Sequence, residues 1–104
     1  MIHNKLVRDR IPEIIAASGK TCVCRVLSEE EYLERLDEKL NEELAEYQES
    51  KSLEELADLL EVIRAVTVAR GYTLEQLEAV RAKKAQERGG FRDRVFLVEV
   101  QTAD

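Results

Sequence analysis

Two Ser-x-x-Glu strings, Ser28 to Glu31 and Ser52 to Glu55, each stand just ahead of a run of apolar residues at helical spacing. In such a string the serine side chain caps the amide three residues on, and the glutamate can reach back to the serine amide, so each marks a helix start. The first opens a helix carrying Leu33, Leu36, Leu40, Leu44 and Tyr47, which ends near Ser50-Lys51. The second opens one carrying Leu53, Leu56, Leu60, Ile63 and Val66, which closes at Gly71. A link this short folds the two helices antiparallel, and the remaining elements must be arranged around that hairpin.

Thr73-Leu74-Glu75-Gln76 is a third start of the same kind, leading a helix that runs to Gly89-Gly90. Upstream, Ile11-Pro12-Glu13-Ile14-Ile15-Ala16-Ala17-Ser18-Gly19 reads as a short helix with proline in its first turn and glycine just past its end. Cys22 to Leu27 and Val95 to Val100 have the β-branched and aromatic content of strands and are expected to pair. The expected fold is therefore mostly α, a bundle of about four helices with a small two-stranded β element near the termini. With 104 residues the chain is expected to form one domain, residues 1–104, that leaves an apolar helix face for a second copy to cover.

The charge balance narrows the possible partners. A net charge of −6 argues against general affinity for nucleic acid or an anionic membrane, while local basic clusters can still grip a phosphorylated small molecule. No stretch approaches the apolar length of a bilayer span, and the opening Met-Ile-His-Asn-Lys-Leu-Val lacks a signal-peptide core, so a cytoplasmic location is expected. Cys22 and Cys24 would share one face of the first strand and serve packing; two thiols with no histidine nearby cannot fill a tetrahedral zinc site. His3 and the three tyrosines form no constellation. There is no P-loop, Ser-His-Asp or Cys-His pattern, which argues against covalent nucleophilic catalysis.

The acids of the hairpin are the candidate site. Residues three or four apart share a helix face, so Glu43 with Glu46, and Glu55 with Asp58, each make a side-by-side carboxylate pair. Glu43 lies about 60° from Leu40 at the edge of the apolar stripe, and Glu46 roughly 120° away on the same side, while Glu42 points outward. Glu55 is in line with Leu59, Val62 and Val66, among apolar neighbours. Such a carboxylate must be paired, metal-bound or protonated. For Glu55 a plainer role is available at this stage, since as the third residue of a capping box it can simply return to the Ser52 amide. Four converging carboxylates raise one another's proton affinity unless a divalent cation neutralises them, and hard oxygen ligands favour Mg²⁺ or Mn²⁺.

These residues resemble the signature of the all-α NTP pyrophosphatase superfamily, the MazG-like fold: EExxE on one helix, here Glu42, Glu43 and Glu46, and ExxD on the next, here Glu55 and Asp58. The opening Asn4-Lys5-Leu6-Val7-Arg8-Asp9-Arg10-Ile11-Pro12-Glu13-Ile14-Ile15 resembles the start of a group of small single-domain house-cleaning pyrophosphatases within it. One departure is that only eight residues separate Glu46 from Glu55, fewer than in MazG itself. The resemblance implies Mg²⁺-dependent hydrolysis of a nucleoside triphosphate to a monophosphate and pyrophosphate. It makes Glu43, Glu46, Glu55 and Asp58 metal ligands and gives Glu42, with Glu43, a catalytic role as an outer-shell or base-positioning group. It also implies a homo-dimer or homo-tetramer.

Cations for the phosphates are present whichever family is right. Lys5 and Arg8 lie in the opening motif, Lys39 is one turn before Glu43, and Lys84, Arg88 and Arg92 surround Gly89-Gly90. Each could equally be a solvated surface charge. Two other activities fit the same residues: phosphoribosyl-ATP pyrophosphohydrolase, which shares the acidic helix pair, and a non-catalytic helical module that binds a partner or itself. Metal dependence separates the second from both enzymes, and the Asn-Lys-Leu-Val-Arg-Asp opening favours the first enzyme.

Overall fold

The computed structural model describes residues 2–102. It is all-α, with four helices among those residues: α1 (Ile11–Ala17), α2 (Glu29–Ser50), α3 (Leu53–Ala69) and α4 (Leu74–Arg88). The chain divides into two compact units, Met1–Tyr72 and Thr73–Asp104.

The first unit is organised by the α2/α3 hairpin. Ser28 caps α2 by accepting the Glu31 amide at 3.2 Å, and three acids in the first turn complement the helix dipole. The Glu31 carboxylate turns outward to Arg25, 2.9 Å away, so the expected capping box is only half formed. At its far end α2 stops on Lys51, held at φ 59°, and Ser52 caps α3 through the Glu55 amide at 3.3 Å. A single left-handed residue followed by an extended one reverses the chain within two positions, which lays α3 directly back along α2. Arg70, just past the end of α3, ties the hairpin again through Asp37 at 2.8 Å. Gly71, at φ 92°, supplies the left-handed stop that a side chain would strain.

The hairpin's core is small. Leu36 from α2 is 3% exposed and Val62 from α3 is 8% exposed; Leu33, Leu40, Leu59 and Val66 are half-buried around them. α3 carries two apolar stripes. The row Leu59, Val62 and Val66 turns inward, whereas Leu53, Leu56, Leu60 and Ile63, roughly 110° around the helix, stay exposed. A helix of 17 residues against one neighbour buries one face, so this second row lies outside the hairpin core.

The expected two-stranded β element is also absent among the described residues, where no strand occurs. Cys22 to Leu27 and Val95 to Val100 run without ladder partners, and Val23, Val26, Phe96 and Val98 stand almost fully in solvent. Strand propensity becomes structure only when a second chain segment accepts the backbone hydrogen bonds and covers one face. Cys22 and Cys24 are accordingly exposed free thiols and not packing groups. No helix among the described residues is long and apolar enough to cross a membrane.

The second unit holds α4 and the segment after it. Thr73 forms the complete capping box expected of it: its hydroxyl accepts the Gln76 amide at 3.0 Å, and the Gln76 side chain accepts the Thr73 amide at 2.8 Å. Gly89, at φ 84°, ends the helix.

Leu36 is the most enclosed apolar side chain of the hairpin, and Leu36→Ala is expected to lower its stability by about 3 kcal/mol, read from urea unfolding. Val23→Ala, at a fully exposed position, is expected to change it by less than about 0.5 kcal/mol.

Candidate metal centre

The hairpin turn decides where the acids meet. Because α3 starts two residues after α2 ends, its first turns lie opposite the last turns of α2, and these are the stretches that carry Glu55 and Asp58 on one side and Glu42, Glu43 and Glu46 on the other. One carboxylate oxygen from each of Glu43, Glu55 and Asp58 lies within 4.8 Å of the other two. The same is true of Glu42, Glu43 and Glu46. Glu43 belongs to both groups and is the point where the helices converge.

Burial separates Glu43, and one oxygen of Glu55, from ordinary surface charge, while Glu42 and Asp58 are half-buried and Glu46 is exposed. Among the described residues two polar ones are buried, Thr67 and Glu43, and Thr67 is satisfied, its hydroxyl donating to the Ile63 carbonyl at 2.8 Å. Glu43, 7% exposed, is not: its Oε2 has no hydrogen-bond partner, and Oε1 has only the Lys39 ammonium at 3.6 Å. Glu55 Oε2 is likewise buried and unpartnered. The plainer role for Glu55 does not hold. The Ser52 amide, which a capping-box glutamate would take, donates instead to Ser50 Oγ at 3.3 Å, and the Glu55 carboxylate faces the α2 acids. In α4 the corresponding Gln76 does return to its cap, so the failure at Glu55 follows from its surroundings and not from the motif.

The electrostatics agree with the geometry. The Glu43 carboxyl is pushed above its ordinary pKa, first by burial and then by the carboxylate of Glu46 facing it, with Asp58 adding and Lys39 opposing. Glu55 is raised too, by burial first and then by the charges of Glu46 and Asp58. Carboxylate facing carboxylate offers no donor, so the group must take up a proton or a cation. An octahedral Mg²⁺ with oxygens at about 2.1 Å holds neighbouring ligands about 3 Å apart and opposite ones about 4.2 Å apart. The Glu43, Glu55 and Asp58 oxygens, all within 4.8 Å of one another, lie near that range, and two of the three residues bring a buried oxygen that lacks a partner. The residues fit a hard divalent cation.

Among the basic residues, Lys39 bridges the Glu42 and Glu43 carboxylates at 3.7 and 3.6 Å and is itself largely covered. Arg8 donates to Asp58 Oδ1 at 2.7 Å across fifty positions of sequence, which brings the opening motif onto the hairpin. Lys5 lines a cleft of about 170 Å³ with Asn4, Leu6, Arg35, Glu38, Lys39 and Glu42, so three expected site residues share one recess. Arg35 was missed in the sequence, although it stands one turn before Lys39 at helical spacing and that signal was available. Lys84 and Arg88 lie on α4, and Arg92 follows it; all three are exposed in the second unit.

No family model matches the chain. Over 42 residues it is 64% identical to an uncharacterized protein of Mycolicibacterium smegmatis, a match that covers 40% of this chain and 43% of that protein. The chain thus spans less than half the length of this relative. No solved structure matches.

A carboxyl whose pKa is raised on folding binds its proton more tightly in the native chain than in the unfolded one. Its contribution is fully favourable below the ordinary carboxylate range and is lost as pH rises through the raised value. In EDTA, Glu43→Gln, neutral at every pH, is expected to melt above the parent chain at pH 7. That difference should shrink as the pH is lowered to about 4, where the parent's Glu43 is protonated as well.

Proposed function

We propose that this chain is a Mg²⁺-dependent nucleoside triphosphate pyrophosphohydrolase of the all-α, MazG-like superfamily, one that clears aberrant nucleotides, with Mn²⁺ able to replace Mg²⁺. The observation that carries this is the pair of buried, unpartnered carboxylate oxygens, one from each helix of the hairpin, beside a cleft with cationic walls. In this reading Glu43, Glu46, Glu55 and Asp58 hold the cation, which lowers the pKa of bound water and screens the charge of the triphosphate. Glu42, half-exposed between Lys39 and the Glu43/Glu46 pair, orients the attacking water and receives its proton. Lys5, Arg35 and Lys39 bind phosphate oxygens in the cleft. The water oxygen forms a bond to one of the two phosphorus atoms flanking the α–β bridging oxygen as that atom's bond to the bridge breaks; the bridging oxygen stays with the other fragment, and the products are monophosphate and pyrophosphate. The acidity of the chain supports a nucleotide substrate over nucleic acid, and the absence of a spanning helix among the described residues is compatible with the expected cytoplasmic setting.

The deciding experiment offers the purified chain a panel of ordinary, deoxy and modified nucleoside triphosphates and phosphoribosyl-ATP, with Mg²⁺ or EDTA, and measures pyrophosphate against orthophosphate. Pyrophosphate from nucleoside triphosphates, only with metal, is expected. Activity on phosphoribosyl-ATP alone would move the assignment to that enzyme, and no release from any compound would overturn both. Glu46→Gln and Asp58→Asn are each expected to lower kcat by at least about 100-fold with the helical circular dichroism unchanged.

The exposed row Leu53, Leu56, Leu60 and Ile63 supports a homo-dimer or homo-tetramer, because a helix in water does not leave an apolar stripe of that length uncovered without cost. Sedimentation velocity is expected to give a multiple of the chain mass, and Leu60→Glu a shift toward the single chain.

A further inference from the structure

Of the five acids in the candidate centre, Asp58 is the one already hydrogen-bonded to a cation, the Arg8 guanidinium at 2.7 Å. The Lys39 ammonium sits beyond hydrogen-bond reach of Glu42 and Glu43. Arg8 comes from the segment ahead of α1, and among the described residues its bond to Asp58 is the one side-chain hydrogen bond tying that segment to the hairpin. The same segment supplies Asn4, Lys5 and Leu6 as one wall of the cleft whose other wall, on α2, includes Lys39 and Glu42.

We propose that Arg8 is a counter-ion that holds Asp58 until a divalent cation takes it, and that the exchange frees the guanidinium for a phosphate group of the substrate. The proposal rests on the metal-centre reading above and assigns the order of events at that site. The balance of strengths favours the exchange. The Arg8 and Asp58 side chains are 56% and 41% exposed, and a pair so open to water shifts an equilibrium by no more than about five-fold. A divalent ion at this place gains Asp58 together with the buried oxygens of Glu43 and Glu55, which have no other partner to give up. Only one oxygen and one nitrogen are engaged in the pair, so the guanidinium keeps free donors, and its planar fork suits a phosphate better than a single carboxylate oxygen. Arg8 is three residues from Lys5 in the chain, so the released guanidinium stays tethered close to a residue that lines the cleft. Loss of the bond also loosens the wall formed by residues 4–6, which links entry to the cleft to the arrival of the cation.

The test is a calorimetric titration of Mg²⁺ into the full chain and into Arg8→Gln, without nucleotide. Removing a competitor is expected to tighten Mg²⁺ binding by about two- to five-fold in the variant. Arg8→Lys, which keeps the charge without the fork, should fall between the two and serves if Arg8→Gln does not fold. In parallel, saturating Mg²⁺ is expected to speed tryptic cleavage after Lys5 in the parent chain, while Arg8→Gln is cleaved quickly with or without metal. Unchanged or weaker Mg²⁺ binding in both variants would overturn the proposal and make Arg8 a residue that orients Asp58 as a ligand. If parent and variants alike show no Mg²⁺ binding, the metal-centre reading itself fails, and the exchange with it.

Discussion

A carboxylate in the core of a two-helix hairpin is the constraint on which the rest of this structure turns. Glu43 is as enclosed as Val62, yet it carries a charge, faces other charges and leaves one oxygen without a donor. Removing an ionised group from water without a partner costs several kcal/mol. The apolar core that must offset this consists of Leu36, Val62 and a ring of half-buried neighbours. A divalent cation held as proposed would resolve that imbalance, since it would give the two unpartnered oxygens a partner.

The turn between the helices makes the constraint local. Lys51 in the left-handed region and Ser52 as the following cap bring α3 back over α2 within two residues, so the acids at the end of one helix oppose those at the start of the next. The Ser50 hydroxyl matters for the same reason: by taking the Ser52 amide it leaves the Glu55 carboxylate with no task in the cap and free to face Glu43. The opening segment then closes the open side of the cluster through Arg8 and builds the cleft with α2.

Much of this was legible in the residues. The starts of α2, α3 and α4 follow from Ser28, Ser52 and Thr73, and their ends from Lys51, Gly71 and Gly89, because caps act through the backbone of the next few residues and need nothing distant. The inward row of α3, from Glu55 through Leu59 and Val62 to Val66, was readable from helical periodicity. Leu56, Leu60 and the Val95 to Val100 run have the composition of packed elements, but burial needs a second surface, and the hairpin offers one face only. The two strand-like segments failed for the same reason, since a strand is defined by its neighbour.

By itself the sequence determined the helices, their caps and the placing of five acids on two consecutive helices, since these depend on local propensity and on a fixed angle per residue. The tertiary structure decided that Glu43 and Glu55 are buried without partners, that Arg8 holds Asp58, and that Lys5 and Arg35 share a cleft with Lys39 and Glu42. Those facts depend on distances between residues far apart in the chain, which periodicity does not carry. A hydroxyl that takes one amide, or a guanidinium that crosses fifty positions, is settled only when the backbone has brought the groups within hydrogen-bond reach.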